Sequence, residues 1–495
     1  MKNRIIYTAL VAGLIILGSC SKKFLTRNPS NGLPLNTAIT SEGDLLVANT
    51  GMYSVLRNTD LFGRTLPVKG DLMADNSFVT TSNSNRYISV NNMSFTNADA
   101  YAGAIWTQSY IGIKYANTII NNKLTATSVN ISQYIGEAYA VRALLHFELV
   151  RNYCHPYTLS PNDPGIPIVT TFDATVLPGR GTVKDVYTQI IADLEKAYTL
   201  LTVYRGTAYF SKYAARALEA RVYQNMGDWA NASTTALDVI NNSGWSMLAA
   251  TAYVSPSGSI STSAAKSTYS PGGYWSNPAV QSSTKSETLF EVGSDLNSNN
   301  GFDHLGFIYL HVSGGYGDIL GTDALYNLYS ATDARKGLLV QAPVGYRGGQ
   351  GGNTNLNYKY PNPGGSGDHD DTKVLRLSDI ILIAAEAYYN AGDFTNANKY
   401  LNMVAQQRDP TFTGWADTGA PVLDDILIER RKELAFEGSR LWDLVRLGRS
   451  WTKIKNQSPL TTVAVTPGHI ALVFPVPVAE LNANPKLATQ QNPGY

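Results

Sequence analysis

The chain has 495 residues, enough to bury a large core, and with 44% apolar residues and a net charge of +1 it collapses rather than staying disordered. Its 39 basic and 38 acidic residues balance, which excludes the basic excess of a nucleic-acid binder. Only 16% of residues are charged, under the roughly 25% of an average soluble protein, so 30 tyrosines and many Asn, Ser, Thr and Gly must cover the surface.

At the N-terminus, Lys2 and Arg4 precede an apolar run from Ile5 to Leu17, about 13 residues and too short for a membrane span of about 20. The run ends in Leu17, Gly18, Ser19 and Cys20. Small residues before a cysteine at such a place resemble the lipobox of bacterial lipoproteins. That resemblance implies cleavage before Cys20 and acylation of its thiol and amine, a durable membrane anchor. Residues 1–19 then read as a signal peptide and 20–40 as a lipidated tether, broken by Pro29 and Pro34. Residues 41–495 read as one domain. Cys154, beside His155, is left with no intrachain disulfide partner and reads as a semi-buried structural cysteine. No other apolar segment is long enough to span a membrane.

Helical patterns occupy 41–58 and 103–123, separated by a polar stretch carrying Asp71, Asp75, Asn76, Phe78 and Tyr87. Residues 135–153 are apolar almost all round, the mark of a helix buried on most faces, and 183–201 supply a further helix. Between them Pro156, Pro161, Pro164 and Pro167 enforce a loop. An internal repeat follows: Ala220 to Ala232 aligns with Ala385 to Ala397. Each copy is an alanine-rich helix, a Gly-Asp turn, an aromatic and a second helix. Gly227 and Gly392 suit the left-handed residue that ends the first helix, and Asp228 and Asp393 suit the cap of the next. Such units resemble tetratricopeptide hairpins, although the copies lie about 165 residues apart, so a long insertion separates them. The insertion, about 245–372, is dense in Gly, Ser, Asn, Tyr and Pro and reads as long loops, with one strand-like run from Thr288 to Val292.

Several motifs run along nearly the whole chain. They include Cys20 to Leu25, the set Trp106, Tyr110, Ile113 and Asn117, and the set Glu137, Arg142, Phe147 and Val150. Ser286 to Glu291 and the trio Tyr329, Asp333 and Arg335 follow. The C-terminal part carries Ile428 to Gly438, Arg440, Asp443, Arg446, Phe474 to Pro477, and Gln491 to Tyr495. In this order they resemble the SusD/RagB family of nutrient-uptake lipoproteins. The resemblance implies a predominantly α fold on four tetratricopeptide-like helical hairpins, a SusD-like superhelix with long irregular loops and minor β. It also implies a non-enzymatic protein on the outer membrane, facing outward. Such a protein binds an oligosaccharide, or in some members a peptide, and delivers it to a SusC-like TonB-dependent transporter barrel. Lys22 and Lys23 stand where many surface lipoproteins carry acidic residues.

A glycan site needs exposed aromatic plates with amide, carboxylate or guanidinium groups around them. The loop-rich parts offer Tyr87, Tyr274, Trp275, Tyr309, Tyr316 and Tyr346 as plates, and Asp75, Asn76, Arg86 and Asp318 as hydrogen-bonding partners. Trp275 and Tyr316 lead, because flanking glycines are expected to leave their rings open. Trp106 and Trp442 read as core, and Trp229 as the packing residue of its hairpin. A glycosidase using Asp71 and Asp75 is the rival reading. The charges from Glu429 to Arg446, Glu433 and Glu437 included, alternate at helical spacing and read as a structural ion network rather than a catalytic pair. Asp368, Asp370 and Asp371 carry carboxylates able to ligate Ca²⁺ but read as a solvated loop. The six histidines show no zinc-binding spacing, and neither a nucleophile elbow nor a P-loop occurs, so no metal or cofactor is expected.

Overall fold

Short polar residues start the helices of the scaffold. In a computed structural model describing residues 39–495 except 172, 174, 264–265, 277–285, 296, 312–313, 345, 347–353 and 362–369, α1 (Glu42–Leu56) opens on Ser41, which accepts from the Asp44 amide. Cys20 and the segment read as a signal peptide lie outside the described residues. After α2 (Thr65–Leu72) come α3 (Ala100–Ile120), capped by Asp99, α4 (Val129–Tyr153), capped by Ser128, and α5 (Val183–Leu200), which opens on a Thr182–Asp185 capping box. The hairpin of α6 (Lys212–Met226) and α7 (Trp229–Asn242) is matched by that of α8 (Leu377–Asn390) and α9 (Phe394–Arg408). At both turns the expected chemistry is present. Gly227 and Gly392 sit at φ 72° and 76°, and the Asp228 and Asp393 carboxylates accept from the amides of Asn231 (3.2 Å) and Asn396 (3.0 Å).

Packing follows chain order: α1 on α3, α4 on α5, α6 on α7 and α8 on α9 form four hairpin-like pairs, each stacked on the next. The chain leaves after α7 and returns at α8, which packs directly on α7, so the insertion is an excursion from a continuous stack. Helix α4 is buried on nearly every face, as its composition required, and its ions are each paired. Arg142 holds Asp193 in a fork at 2.6 and 2.8 Å, and Arg205 reaches Glu137 at 2.8 Å. Trp106 and Trp442 belong to the core, Trp229 packs against its edge, and burial pushes the buried Cys154 thiol up to about 12.

The insertion contributes more strand than its composition indicated. Strand β1 (Ser77–Val79) pairs antiparallel with β3 (Ile319–Gly321), and β4 (Leu339–Gln341) and β5 (Asn355–Asn357) complete a sheet of order β1-β3-β5-β4. The strands of this sheet have three residues each, too few to show alternation, whereas the five-residue β2 (Thr288–Val292) is the strand-like run expected within the insertion. Strand β2 pairs with β6 (Thr372–Arg376), where Glu291 and Lys373 face each other at 2.6 Å. The chain ends with α10 (Pro421–Glu433), α11 (Arg440–Arg446), a hairpin of β7 (Trp451–Gln457) and β8 (Leu460–Val465), and a tail to Tyr495.

Candidate ligand-binding platform

The aromatic residues expected to form open plates divide sharply. Tyr274 and Trp275 are fully buried, the first stacked on Tyr253 and bonded to Thr288. Their flanking glycines do not open the loop; they let it pack. Gly272 and Gly273 lie at φ 61° and 57°, and a Cβ on them would meet the Ser255 and Ala252 carbonyl oxygens at 2.1 and 2.5 Å. The face of Trp275 is already used by the protein's own cations, with Lys359 Nζ at 4.8 Å and the Arg376 guanidinium at 5.5 Å from the ring centre.

Tyr309 and Tyr346 are likewise buried, Tyr309 between Tyr360 and Phe436. Tyr87 is buried against Tyr101 at 4.7 Å, with Arg64 Nε donating to its hydroxyl at 3.0 Å. None of these rings is open to a ligand, which corrects the expectation for all five buried residues.

Two of the polar residues are also committed elsewhere. Asp75 is clamped by Arg440 at 2.8 and 3.0 Å and reached by Arg431 at 3.2 Å. Burial alone would raise its carboxyl, but these guanidiniums hold it below the ordinary value. Buried Asn76 donates to Asp71 at 2.6 Å and accepts from Arg431 at 2.8 Å. Asp71 is itself sealed in the core, where burial pushes it up to about 6. Its partners are Asn76 and the Gly438 amide, an anchor between β1 and α11 rather than one half of a catalytic pair.

The ion network expected around α10 is present and buried. Glu433 receives Arg376 (2.8 Å), Arg408 (3.0 Å) and Arg335 (3.1 Å); against burial, these guanidiniums hold it well below the carboxylate range. Arg430 joins Asp379 to Asp443, and Arg446 joins Asp443 to Glu386 of α8. Of the loop 368–371, Asp368 lies outside the described residues, Asp370 is buried rather than solvated, and Asp371 accepts from the Ser294 amide at 2.7 Å. Among the described residues no three His, Cys, Asp or Glu side chains gather as a metal site.

What remains at the surface is a small platform made by two loops. In the first, residues 80–87, Arg86 lies between two non-glycine residues in the left-handed region, Asn85 at φ 65° and Tyr87 at φ 58°. Such residues cost about 1–2 kcal/mol each and persist where neighbours hold them. The Tyr101 hydroxyl accepts from the Tyr87 amide at 2.8 Å, and Asn83 accepts from the Asn85 amide at 2.8 Å. So held, Arg86 lies over the Tyr316 ring at 3.8 Å, donates to its hydroxyl at 2.9 Å and to Ser84 Oγ at 2.9 Å. Ser84 donates in turn to the buried Asp318, through its amide at 3.1 Å and through its hydroxyl. Arg86, Tyr316 and Asp318 are thus brought together by the structure. Beside them Phe302 is 62% exposed, its ring 5.1 Å from Phe307, whose carbonyl accepts from the Tyr316 amide at 2.7 Å.

A family model described as starch-binding associating with outer membrane matches residues 23–224, and the SusD family model matches 353–495. The chain belongs to the SusD/RagB family. SusD-like proteins P25 and P2 of Formosa agariphila are 24% and 26% identical, over 100% and 97% of this chain and 99% and 98% of their own. A Bacteroides vulgatus protein provisionally named for sugar binding is 26% identical in its crystal structure, with a TM-score of 0.80 over 93% of this chain and 100% of that one. A SusD superfamily protein of Bacteroides thetaiotaomicron superposes with a TM-score of 0.76 at 24% identity, over 92% of this chain and 100% of its own. SusD-like family proteins are non-catalytic. Family members generally bind carbohydrate and work with SusC-like transporters.

For this SusD/RagB protein, sequence reasoning missed Phe302. The available signal was an isolated aromatic behind Asn299, Asn300 and Gly301 in a polar run, a place where no neighbour is apolar enough to bury it.

Proposed function

We propose that this chain captures a neutral oligosaccharide on the platform of Phe302, Tyr316 and Arg86 and passes it to a SusC-like TonB-dependent barrel. It is held at the outer membrane, facing outward, by acyl chains on Cys20. The observation that carries this reading is the exposed ring of Phe302 beside a part-exposed Tyr316–Arg86 stack. Flat apolar rings match the C–H faces of a sugar, and the guanidinium and carboxamide edges of Arg86 and Asn83 match its hydroxyls. Family membership supports the carbohydrate class and the transporter partner.

Calorimetric titration of the full chain against a glycan library tests it. Phe302→Ala and Tyr316→Ala are each expected to weaken binding about 30-fold, the roughly 2 kcal/mol of an aromatic anchor, with unchanged melting temperature. Glycan affinity untouched by both variants sinks the placement of the site, and binding of peptides but no glycan sinks the ligand class. Cys20→Ala is expected to move the chain from the membrane to the soluble fraction.

A further inference from the structure

A cleft of about 360 Å³ opens between the C-terminal end of α1, the segment 208–209 and the strap formed by residues 292–295 and Ser298. Its volume falls within the usual range for a small-molecule site, roughly 300–1,000 Å³. Tyr53 and Tyr209 form its aromatic wall, edge to face at 5.1 Å. Ser54, Arg57, Asp295 and Asp371 bring hydroxyl, guanidinium and carboxylate groups to its rim. This lining suits a ligand with many hydroxyls and little apolar length. Two carboxylates against one guanidinium oppose an acidic ligand.

The cleft and the platform share one piece of chain. Arg57 Nη1 donates to the Gly293 carbonyl at 3.0 Å, tying the strap to α1. At the other end of that strap Asn300 Nδ2 donates to the Arg57 carbonyl at 2.7 Å, and Phe302 follows two residues later. Two residues of chain span at most about 7 Å, so the turn that carries the exposed ring is anchored on Arg57, a residue that lines the cleft. Arg64 fastens the far side of this turn through Asp303 at 2.7 Å.

We infer that the cleft is a second subsite, which holds the far part of a neutral oligosaccharide whose near part rests on Phe302 and Tyr316. The inference rests on the platform reading above, and it narrows the ligand to chains long enough to reach both places. Uronic or sulfated chains are excluded as preferred ligands.

Ladders of malto-, cello- and xylo-oligosaccharides of two to eight units, with oligogalacturonates as the acidic counterpart, are titrated into the full chain. Affinity is expected to rise with length until both subsites are filled. Ser54→Trp, a substitution on an exposed helical position at the rim, is expected to remove that rise. It should lower affinity for the long chains tenfold or more and leave the disaccharide unchanged. Asp295→Asn, also at an exposed position, removes the charge while keeping an oxygen for the Asn297 and Ser298 amides, and is expected to act in the same direction. Phe302→Ala weakens every length. Affinity independent of length, a length dependence that survives both rim variants, or tighter binding of oligogalacturonate overturns the cleft while leaving the platform standing. Absence of binding by every ladder overturns both readings.

Discussion

Two loops of this protein carry the same local signature and meet opposite fates. Tyr274 and Trp275, after Gly272 and Gly273, lie in the core, whereas Gly314, Gly315 and Gly317 flank a part-exposed Tyr316. In both, a cation lies over the aromatic face: Arg376 and Lys359 over Trp275, and Arg86 over Tyr316. The difference is what stands behind the cation. Arg376 is fixed to Glu433 and Glu437 in the buried network of α10, so the ring above it is drawn into the scaffold. Among the described residues Arg86 is hydrogen-bonded to Ser84 and Tyr316, on a surface loop. A glycine beside an aromatic therefore reports a constraint on the backbone, and the partner ion decides whether the ring becomes core or contact surface.

The comparison breaks most completely at Glu433. Glu433→Ala leaves Arg335, Arg376 and Arg408 without their shared carboxylate and is expected to cost about 5 kcal/mol or prevent folding, as removing one partner of a buried ion pair does. Urea unfolding or failure of soluble expression reads this; a loss under about 1 kcal/mol would show that the network does not hold the aromatic layer in place. The same carboxylates set the acid limit. Asp379, against burial, is held down to about 2 by Arg221 and Arg430. Its folded value lies below the unfolded one, so its contribution is complete above about pH 4 and is lost as pH falls toward 2. Next in size is Trp275→Ala, expected to cost about 3–4 kcal/mol by emptying a core site. Tyr316→Ala is expected to stay within about 1 kcal/mol while weakening ligand binding about 30-fold. Equal melting temperatures for the two variants would erase the distinction between the loops.

Smaller again is Gly272→Ala, expected to cost about 2 kcal/mol. It combines a left-handed backbone with a contact of 2.1 Å to the Ser255 carbonyl. Gly314→Ala keeps the left-handed penalty at φ 85°, but its Cβ would meet only Phe302 Cε1 at 3.4 Å, so about 1 kcal/mol is expected. Thermal denaturation of the pair checks the order, and the reverse order would mean that the 272–275 loop is not tightly packed.

These loops also mark where the sequence stopped being legible. The helical stack was readable because its signals are local. Asp228 and Asp393 cap within three residues, and the all-round apolarity of 135–153 lies within one helix. The ion network was readable because its charges repeat at helical spacing. Which carboxylate meets which arginine was not, since Arg335 arrives from the insertion and Arg376 from β6. The platform is non-local throughout. Arg86 meets Tyr316 across 230 positions of chain, and Asp75 meets Arg440 across 365. Composition alone cannot tell an Asp that lines a surface from one that anchors the C-terminal helix. Phe302 was passed over because one aromatic in a polar run carries no periodicity.

A third aromatic–cation group sharpens the rule by removing the carboxylate. Lys69 Nζ is buried between the rings of Trp442 (4.7 Å) and Phe474 (4.3 Å), with no hydrogen-bond partner among the described residues. A guanidinium in such a place stays charged, but an ammonium can release its proton. Burial lowers Lys69 to about 7, with Glu148 opposing the shift and Arg151 adding to it, and burial lowers Lys453 to about 7 as well. Both folded values lie below the unfolded 10.5, so between about pH 7 and 10 the unfolded chain holds protons that the folded chain has lost. Stability is therefore expected to rise across that window. Lys69→Met, which keeps the stem and discards the amine, is expected to gain about 1 kcal/mol at pH 7 and to show a shallower rise toward pH 9.5. Urea titrations at the two pH values decide it. A variant less stable than the parent at pH 7 would mean that the two rings hold the lysine as a cation, just as Trp275 holds Arg376.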